Sequence, residues 1–178
     1  MGKGGIKMKT KICYKLFEMD TENNLYPLFI DKHTAYPIGE CIYAENHPTK
    51  GFAARPGLHC GEICSAPWLM SSDGTYKSQR SKYWKRVWCE VECNVTNDYT
   101  DDVQKLPKKC LIDHVPYNGF YKFRETGCNR IWIITDKIKI TRILSEEERM
   151  EILKSIGYDE EEAFAPYKAA FNKRMGIA

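Results

Sequence analysis

The most regular alternation of hydrophobic and polar residues in the chain lies between residues 84 and 95. Small apolar residues occupy every second position of this stretch: Val87, Cys89, Val91, Cys93 and Val95. The positions between them combine aromatic and charged residues: Trp84, Arg86, Trp88, Glu90 and Glu92. Because successive side chains of a strand point to opposite faces, the pattern predicts a β-strand with one core face and one mixed face.

Shorter runs predict the other strands. Alternating or apolar segments that fit strands occupy residues 10–17, 25–30, 110–115, 120–124, 130–135 and 137–144. Residues 40–45 fit either a short strand or a helix. We expect the last three strands to form a meander with a tight hairpin at Thr135-Asp136, and residues 71–82 and 96–109 to form loops.

Two helices are predicted at the C-terminal end. Ser145 and Glu148 have the spacing of a capping box, and Gly157 suits the end of that helix. Asp159 begins a second helical segment, in which Pro166 argues against one long helix and is expected to open the helix proper. Its apolar stripe is expected to be buried: Phe164, Tyr167, Phe171 and Met175. The fold class that follows is α+β, a mostly antiparallel sheet with two C-terminal helices packed against it.

Composition indicates a single soluble domain. The chain has 178 residues, which favours one domain over residues 10–178 with residues 1–9 as a flexible leader. Hydrophobic residues make up 43% and charged residues 29%, and no apolar run approaches the length needed to cross a membrane. Eight cysteines without a signal peptide before them predict reduced thiols in a cytoplasm.

The net charge of +3 is too small to indicate nucleic-acid binding. A local run of basic residues does indicate it. Its five cations have no acid between them: Lys77, Arg80, Lys82, Lys85 and Arg86. Aromatic residues are interleaved with these cations: Tyr76, Tyr83, Trp84 and Trp88. Cations that follow phosphates and aromatic faces that stack on bases are typical of single-stranded nucleic-acid binding. The alternative is a solvated loop that leads into a strand with core aromatics.

The cysteine spacing does not complete a metal site. His59, Cys60 and Cys64 have finger-like spacing but lack a fourth ligand. Cys89 and Cys93 are expected on one strand, about 13 Å apart at roughly 3.3 Å per residue, which is too far to share an ion. We therefore expect no metal and no cofactor, with zinc at Cys60 and Cys64 as the open alternative.

The loop-like run from Ala53 to Trp68 concentrates the remaining chemistry. A metal-independent ribonuclease needs a general base, a general acid and a cation that stabilises the charged phosphorane. His59 and Glu90 can form the acid/base pair, and Arg55 can clamp the phosphate. The alternative is a plain ion pair between Arg55 and Glu90, with His59 as a satisfied loop residue.

Several motifs also carry a resemblance to other proteins. The most specific is Arg55-Pro56-Gly57-Leu58-His59-Cys60-Gly61, and further matching stretches lie at residues 25–29, 37–39, 87–92, 119–123 and 142–145. Over roughly residues 12–148 the chain resembles a group of small, mostly uncharacterised phage and mobile-element proteins. That group looks to include an anti-CRISPR protein that inactivates Cas9 by truncating its guide RNA.

The resemblance implies a candidate site and a target. Its implied site residues are Arg55, His59, Glu90, Asp113 and Lys122. Leu58 replaces the more usual Trp of the group, and Cys60 replaces a small residue, which counts against a thiol or zinc mechanism. The implied target is guide RNA, with Cas9 or another host defence protein as the partner, in the cytoplasm of the host cell.

The resulting functional prediction is a phage or mobile-element RNA-binding protein whose candidate activity is metal-independent RNA cleavage. The residues predicted to bind RNA are Lys77, Arg80, Lys82, Tyr83, Lys85, Arg86, Trp88 and Lys122. One alternative is an ADP-ribosyltransferase-like enzyme that uses NAD, with Glu90 and Glu92 as paired acids and His59 or Arg55 as the NAD anchor. The other is a non-catalytic inhibitor that blocks a host protein surface through its aromatic and basic face.

Overall fold

The computed structural model describes residues 7–48, 54–111, 113–124 and 130–176, so the first six residues of the predicted leader lie outside the described part. The strands are β1 (Thr10–Met19), β2 (Leu25–Tyr26), β3 (Cys41–Tyr43), β4 (Leu58–Gly61), β5 (Lys85–Asn94), β6 (Asn97–Asp98), β7 (Gly119–Arg124), β8 (Ile131–Thr135) and β9 (Lys137–Ile143). The helices are α1 (Thr100–Gln104), α2 (Glu146–Ser155) and α3 (Glu160–Met175), with a 3-10 turn at Pro67–Leu69.

The nine strands of the described residues form one sheet in the order β3-β9-β5-β1-β4-β8-β7-β6, and β2 pairs with β1. Every pairing is antiparallel except that of β6 with β7. The two C-terminal helices α2 and α3 follow the last strand. The predicted class is therefore confirmed: the fold is α+β, with a mostly antiparallel sheet and two C-terminal helices.

The centre of the sheet is the long pair of β1 and β5. These strands pair along their whole length, from Thr10 opposite Asn94 to Met19 opposite Lys85. The predicted core face of β5 is buried at Cys89, Val91 and Cys93, and joins the main hydrophobic cluster. The alternation of apolar and polar residues with a period of two therefore predicted both this strand and its inner face correctly.

The predicted hairpin between β8 and β9 is wrong. Asp136 is the single residue between these strands, yet β4, β1 and β5 lie between them in the sheet. A link this short requires the sheet to bend until the end of β8 meets the start of β9. Buried polar contacts hold the bend: the Asn94 amide donates to Asp136 Oδ1 at 2.7 Å, and the Thr135 hydroxyl donates to the Asn94 carbonyl at 2.7 Å.

Other boundaries differ from the prediction because of local contacts. The run at 25–30 is a strand only at β2, and none of the described residues of 110–115 belongs to a strand, residue 112 lying outside the described part. The predicted loop at 96–109 contains β6 and α1. Just before that helix, the Asp98 side chain accepts a hydrogen bond from the Thr100 amide at 2.8 Å. Residues 40–45 contain the short strand β3.

The helix signals are confirmed at the ends of the helices and wrong inside α3. Ser145 and Glu148 form the predicted capping box, and Asp159 caps α3 through the Glu162 amide. However, α3 runs unbroken through Pro166, which removes one hydrogen bond without ending the helix. The predicted stripe is buried only at Phe164, while its other three members are exposed: Tyr167, Phe171 and Met175.

Arg149 attaches both C-terminal helices to the body of the protein. The guanidinium is 4% exposed and binds Glu146 within α2 and Glu160 of α3, the latter at 2.7 Å. It also donates to the Cys64 carbonyl at 3.1 Å. Beside it, Leu153 packs into a second cluster with Leu16, Trp88 and other apolar residues on the opposite face of the β1–β5 pair from the main cluster. Among the described residues, no helix is both long and apolar enough to cross a membrane.

Replacing Arg149 by methionine is expected to lower the free energy of unfolding by about 3–5 kcal/mol, because the buried Glu160 carboxylate loses its counter-charge. Arg174→Met, on the exposed end of α3, is the matched control and is expected to change it by less than about 0.5 kcal/mol. Urea denaturation followed by tryptophan fluorescence measures both. Equal stability of the two variants would contradict the anchoring role of Arg149.

Candidate functional site

The segment before β4 is shaped by one glycine. Gly57 has φ +120°, and a Cβ built on it would lie 2.5 Å from Ile134 Cγ2 and 2.7 Å from Val115 Cγ2. The chain therefore passes closer to β8 than any residue with a side chain allows. This contact fixes the position of Arg55 and Pro56. Directly after Gly57, the chain enters the β4–β8 pairing, which begins with Leu58 opposite Thr135.

Strands β1 and β4 separate immediately after a single paired position, Tyr14 opposite Gly61. Beyond it, the Lys15 ammonium donates to the His59 carbonyl at 2.8 Å in place of a backbone pairing. A cavity of about 600 Å³ lies at this separation, and Lys15, Arg55 and His59 are among its lining residues. This volume lies within the range of small-ligand sites.

His59 is held as a neutral base. Its Nε2 lies 2.8 Å from the Arg55 carbonyl oxygen, which can only accept, so Nε2 carries the proton and Nδ1 is the unprotonated nitrogen. The pKa of His59 is lowered to about 4, mainly by burial; the hydrogen bond to Arg55 opposes this shift, and the positive charges of Lys15 and Arg55 add to it. At neutral pH the imidazole can therefore accept a proton but has none to give as an acid.

Arg55 supplies a cation to the same cavity. Its guanidinium carbon lies 3.9 Å from the centre of the Phe123 ring, which fixes the planar group by a cation–π contact. Within the described residues, no carboxylate forms an ion pair with it, so the sequence alternative of an Arg55–Glu90 pair is not realised. The charge of Arg55 is therefore available to an anionic ligand.

Glu90 does not meet His59 or Arg55. It does not line the cavity, and strand β1 lies between its strand and β4, which separates them by about 10 Å at two strand spacings. The carboxylate instead accepts from the Thr141 hydroxyl at 2.9 Å and from Arg142 at 3.2 Å. The predicted acid/base pair of His59 and Glu90 is therefore not assembled.

The two other residues implied by the resemblance divide between the two faces of the sheet. Asp113 lines the cavity together with Arg55 and His59. Lys122 does not, because strand alternation on β7 puts it on the opposite face from Phe123, on which Arg55 stacks. Three of the five implied residues thus share one cavity.

Two of the predicted RNA-binding residues are interior. Arg86 is opposite Glu18 in the β1–β5 register, and the buried side chains form an ion pair at 2.9 Å. Trp88 is 4% exposed and packs edge-on against Tyr76 at 5.7 Å between ring centres. Their assignment to an open RNA surface is therefore corrected: the mixed face of β5 is covered at these positions.

The rest of the basic run is only partly free on the surface. Arg80 turns inward and donates to the carbonyls of Lys32, Pro27 and Leu28, and Lys77 pairs with Asp73. Lys82, Tyr83 and Lys85 are exposed, and neither lysine forms an ion pair among the described residues. Lys77 is exposed as well, with 61% of its side chain accessible, so the exposed part of the run and its aromatic residues comprises these four residues.

Two cavity residues were missed by the sequence reasoning. Lys15 comes from β1, and His47 comes from the loop after β3. His47 Nε2 lies 3.7 Å from an Asp31 carboxylate oxygen and 3.9 Å from one of Glu45, and all three residues line the cavity. No local motif marks these residues, because they meet Arg55 and His59 only through the order of the strands.

The cysteines with finger-like spacing are separated in the structure. Cys60 belongs to the main cluster, whereas Cys64 lies in the second cluster under α2, with its thiol 3.8 Å from the Arg149 carbonyl. Over the described ranges, no group of three or more His, Cys, Asp or Glu side chains is arranged to hold a metal ion. The zinc alternative at Cys60 and Cys64 therefore has no assembled ligand set in this part of the chain.

Fold and site together define an α+β protein with a ligand-sized cavity at a gap in its sheet. Comparison with protein-family models, with curated proteins and with solved structures gives no significant match to this chain. The resemblance to phage and mobile-element proteins stays a prediction. What bears on function is the group of side chains that the cavity brings together.

Gly57→Ala is expected to lower the free energy of unfolding by about 3 kcal/mol or more, since a methyl group meets both Ile134 and Val115. Gly39→Ala is the matched control, because Gly39 also has a positive φ of +87° but has no atom within 4 Å of the added Cβ. The control is expected to cost about 1 kcal/mol. Similar losses for the two variants in chemical denaturation would show that close packing at Gly57 is unimportant.

The free energy of unfolding is expected to depend on pH through the protonation of His59. Its folded pKa of about 4 lies below the ordinary value of 6.5, so the unfolded chain takes up the proton first as the pH falls. The contribution of His59 is complete above pH 6.5 and is lost between pH 6.5 and 4, by up to about 3 kcal/mol.

Denaturation at a series of pH values compares the parent protein with His59→Gln. We expect a flatter dependence for His59→Gln over this window and an unchanged one for His114→Gln, whose histidine is exposed. The buried neutral state of His59 is refuted if the parent and His59→Gln curves run parallel from pH 6.5 to 4.

Proposed function

We propose that the cavity binds a segment of single-stranded RNA and that the protein cleaves this RNA without a metal ion. The observation that carries the proposal is the presence of Arg55 and His59 in one cavity. Arg55 brings a cation without a carboxylate partner among the described residues, and His59 brings a base that is neutral at physiological pH. These are two of the three groups that cleavage by the RNA 2′-hydroxyl requires.

In the proposed reaction, His59 Nδ1 takes the proton of the 2′-hydroxyl. The 2′-oxygen then attacks the adjacent phosphorus, the bond from phosphorus to the 5′-oxygen breaks, and a 2′,3′-cyclic phosphate forms. Arg55 stabilises the negative charge that develops on the phosphorane oxygens, through the planar donor geometry that suits phosphate. Its stacking on Phe123 holds the guanidinium in one orientation.

The third group in this proposal is His47, which takes the place of Glu90 in the predicted acid/base pair. The carboxylates of Asp31 and Glu45 lie within 4 Å of His47 Nε2. A protonated His47 donates its proton to the departing 5′-oxygen. The two histidines thus have opposite electrostatic surroundings, which suits a base and an acid in one reaction.

Aromatic side chains supply a binding surface for bases. Trp68 and Trp132 both line the cavity and pack edge-to-face at 5.9 Å, and Arg130 lies 4.4 Å above the Trp68 ring. Base stacking on such rings is tolerant of sequence. Lys82 and Tyr83 are exposed, and Arg80, two residues before Lys82, binds the carbonyls of the cavity residues Pro27 and Leu28.

The identity of the RNA rests on the resemblance, which supports guide RNA and a CRISPR effector as the host partner. The NAD alternative has less support, because the paired acids that it requires, Glu90 and Glu92, are not among the cavity-lining residues. The ribonuclease proposal is therefore better supported than the NAD alternative.

Cleavage of a labelled single-stranded RNA in the presence of EDTA tests the proposal. His59→Gln is expected to lower the rate at least about a hundredfold, because the general base is lost. His33→Gln, an exposed histidine outside the cavity, is the matched control, and Glu90→Gln is expected to retain most activity. The products should carry 2′,3′-cyclic phosphate ends, and a 2′-deoxy substitution at the cleaved position should prevent the reaction. The base limb of the pH–rate profile is expected near pH 4.

Three other outcomes would contradict the proposal in part or as a whole. A folded His59→Gln variant that cleaves RNA at the parent rate would refute the assignment of His59 as the general base. Nicotinamide release from NAD, without any RNA cleavage, would favour the transferase alternative. Inhibition of a CRISPR effector by a parent protein that cleaves neither substrate would favour the non-catalytic inhibitor.

A further inference from the structure

Lys15 is a cavity residue whose charge the reaction above does not use. It lies on β1 opposite Cys89, on the inner side of the central strand pair, and reaches into the gap between β1 and β4. Its ammonium donates to the His59 carbonyl at 2.8 Å and lies 5.7 Å from the Phe17 ring centre. In the described part of the chain, no carboxylate forms an ion pair with it.

An ammonium group in these surroundings lacks compensation. It has three N–H donors, and a single protein acceptor is found for it among the described residues. Burial lowers the pKa of Lys15, and the neighbouring thiols of Cys60 and Cys93 only partly oppose this effect. A buried cation is normally paired, so its partner is expected to come from the cavity that it lines.

We propose that Lys15 forms a second phosphate subsite at the gap between β1 and β4, beside the subsite that Arg55 provides. The inference rests on the proposed function and deepens it: the ligand spans two neighbouring phosphates of one strand. Arg55 holds the phosphate that reacts, and Lys15 holds the next one.

The acids of the cavity do not cancel this positive charge. The Asp31 carboxylate accepts from the hydroxyls of Thr34 and Tyr36, and faces His47. Glu45 and Asp113 are exposed to solvent, where screening weakens their effect. The charges of Lys15 and Arg55, by contrast, both depress the pKa of His59, which means that they act on the same interior position. A phosphate bound there is expected to raise the pKa of His59 towards its ordinary value.

Protection of Lys15 by inorganic phosphate tests the subsite without requiring activity. The parent protein is acetylated with limiting acetic anhydride, and the modification of each lysine is quantified by peptide mass spectrometry with and without inorganic phosphate. We expect phosphate to slow acetylation of Lys15 by about tenfold or more, through one or more charge-assisted hydrogen bonds, and to leave Lys168 on α3 unchanged.

Calorimetric titration with pyrophosphate extends the test to variants. Lys15→Met is expected to weaken binding on the order of ten- to a hundredfold, whereas Lys15→Arg retains the charge and stays within a few-fold of the parent. Lys168→Met is the matched control with an exposed lysine.

The two proposals fail separately. If the parent cleaves RNA but phosphate does not protect Lys15, the second subsite is wrong and the ribonuclease proposal stands. If phosphate protects Lys15 and Lys15→Met loses pyrophosphate binding but no RNA is cleaved, the subsite stands and the ribonuclease proposal fails. If Lys15→Met does not fold, the acetylation of the parent protein still decides, and unchanged labelling of Lys15 overturns the inference.

Discussion

The link between β8 and β9 imposes the constraint on which the rest of the structure depends. A single residue, Asp136, joins two strands that have three others between them. The sheet has to bend to satisfy that link, and its inner face then encloses the main hydrophobic cluster. Asp136 can occupy the buried corner because Asn94 and the Asn118 backbone amide both donate to its carboxylate. Between the two ends of the bend, β1 and β4 meet only at Tyr14 and Gly61, which leaves the gap in which the cavity lies.

Much of the local structure could be predicted from sequence, and little of the strand order could. The inner face of β5 and the capping box of α2 follow from spacings of two and three residues, which act over a few ångströms along the chain. The neighbours of β5 depend on which distant segment supplies a complementary face. For that reason a consecutive β8 and β9 suggested a hairpin, and nothing in the sequence paired Arg86 with Glu18. Helix α3 tolerates Pro166 because one lost hydrogen bond is a small part of a sixteen-residue helix.

The candidate site likewise combines residues that local sequence could predict with residues that only the strand order brings in. Arg55 and His59 lie within one short turn, so their proximity could be predicted from the sequence, and Gly57 sets the geometry between them. The sequence correctly put Glu90 on the opposite face of its strand from the core cysteines, but a shared face does not reveal how many strands intervene. Lys15 and His47 enter the cavity from segments far away in sequence. The roles that we propose for them depend on whether carboxylates lie nearby among the described residues, which only the three-dimensional arrangement reveals.

The long pairing of β1 with β5 has a further consequence for how this chain acquires its structure. The N-terminal strand cannot find its main partner until residues 20–84 have been brought together as a closed loop, and it contributes to both hydrophobic clusters. Closing so long a loop costs chain entropy before the contacts of the pair repay it. The cavity therefore depends on the closure of this loop, because β1 supplies one of the two edges of the gap.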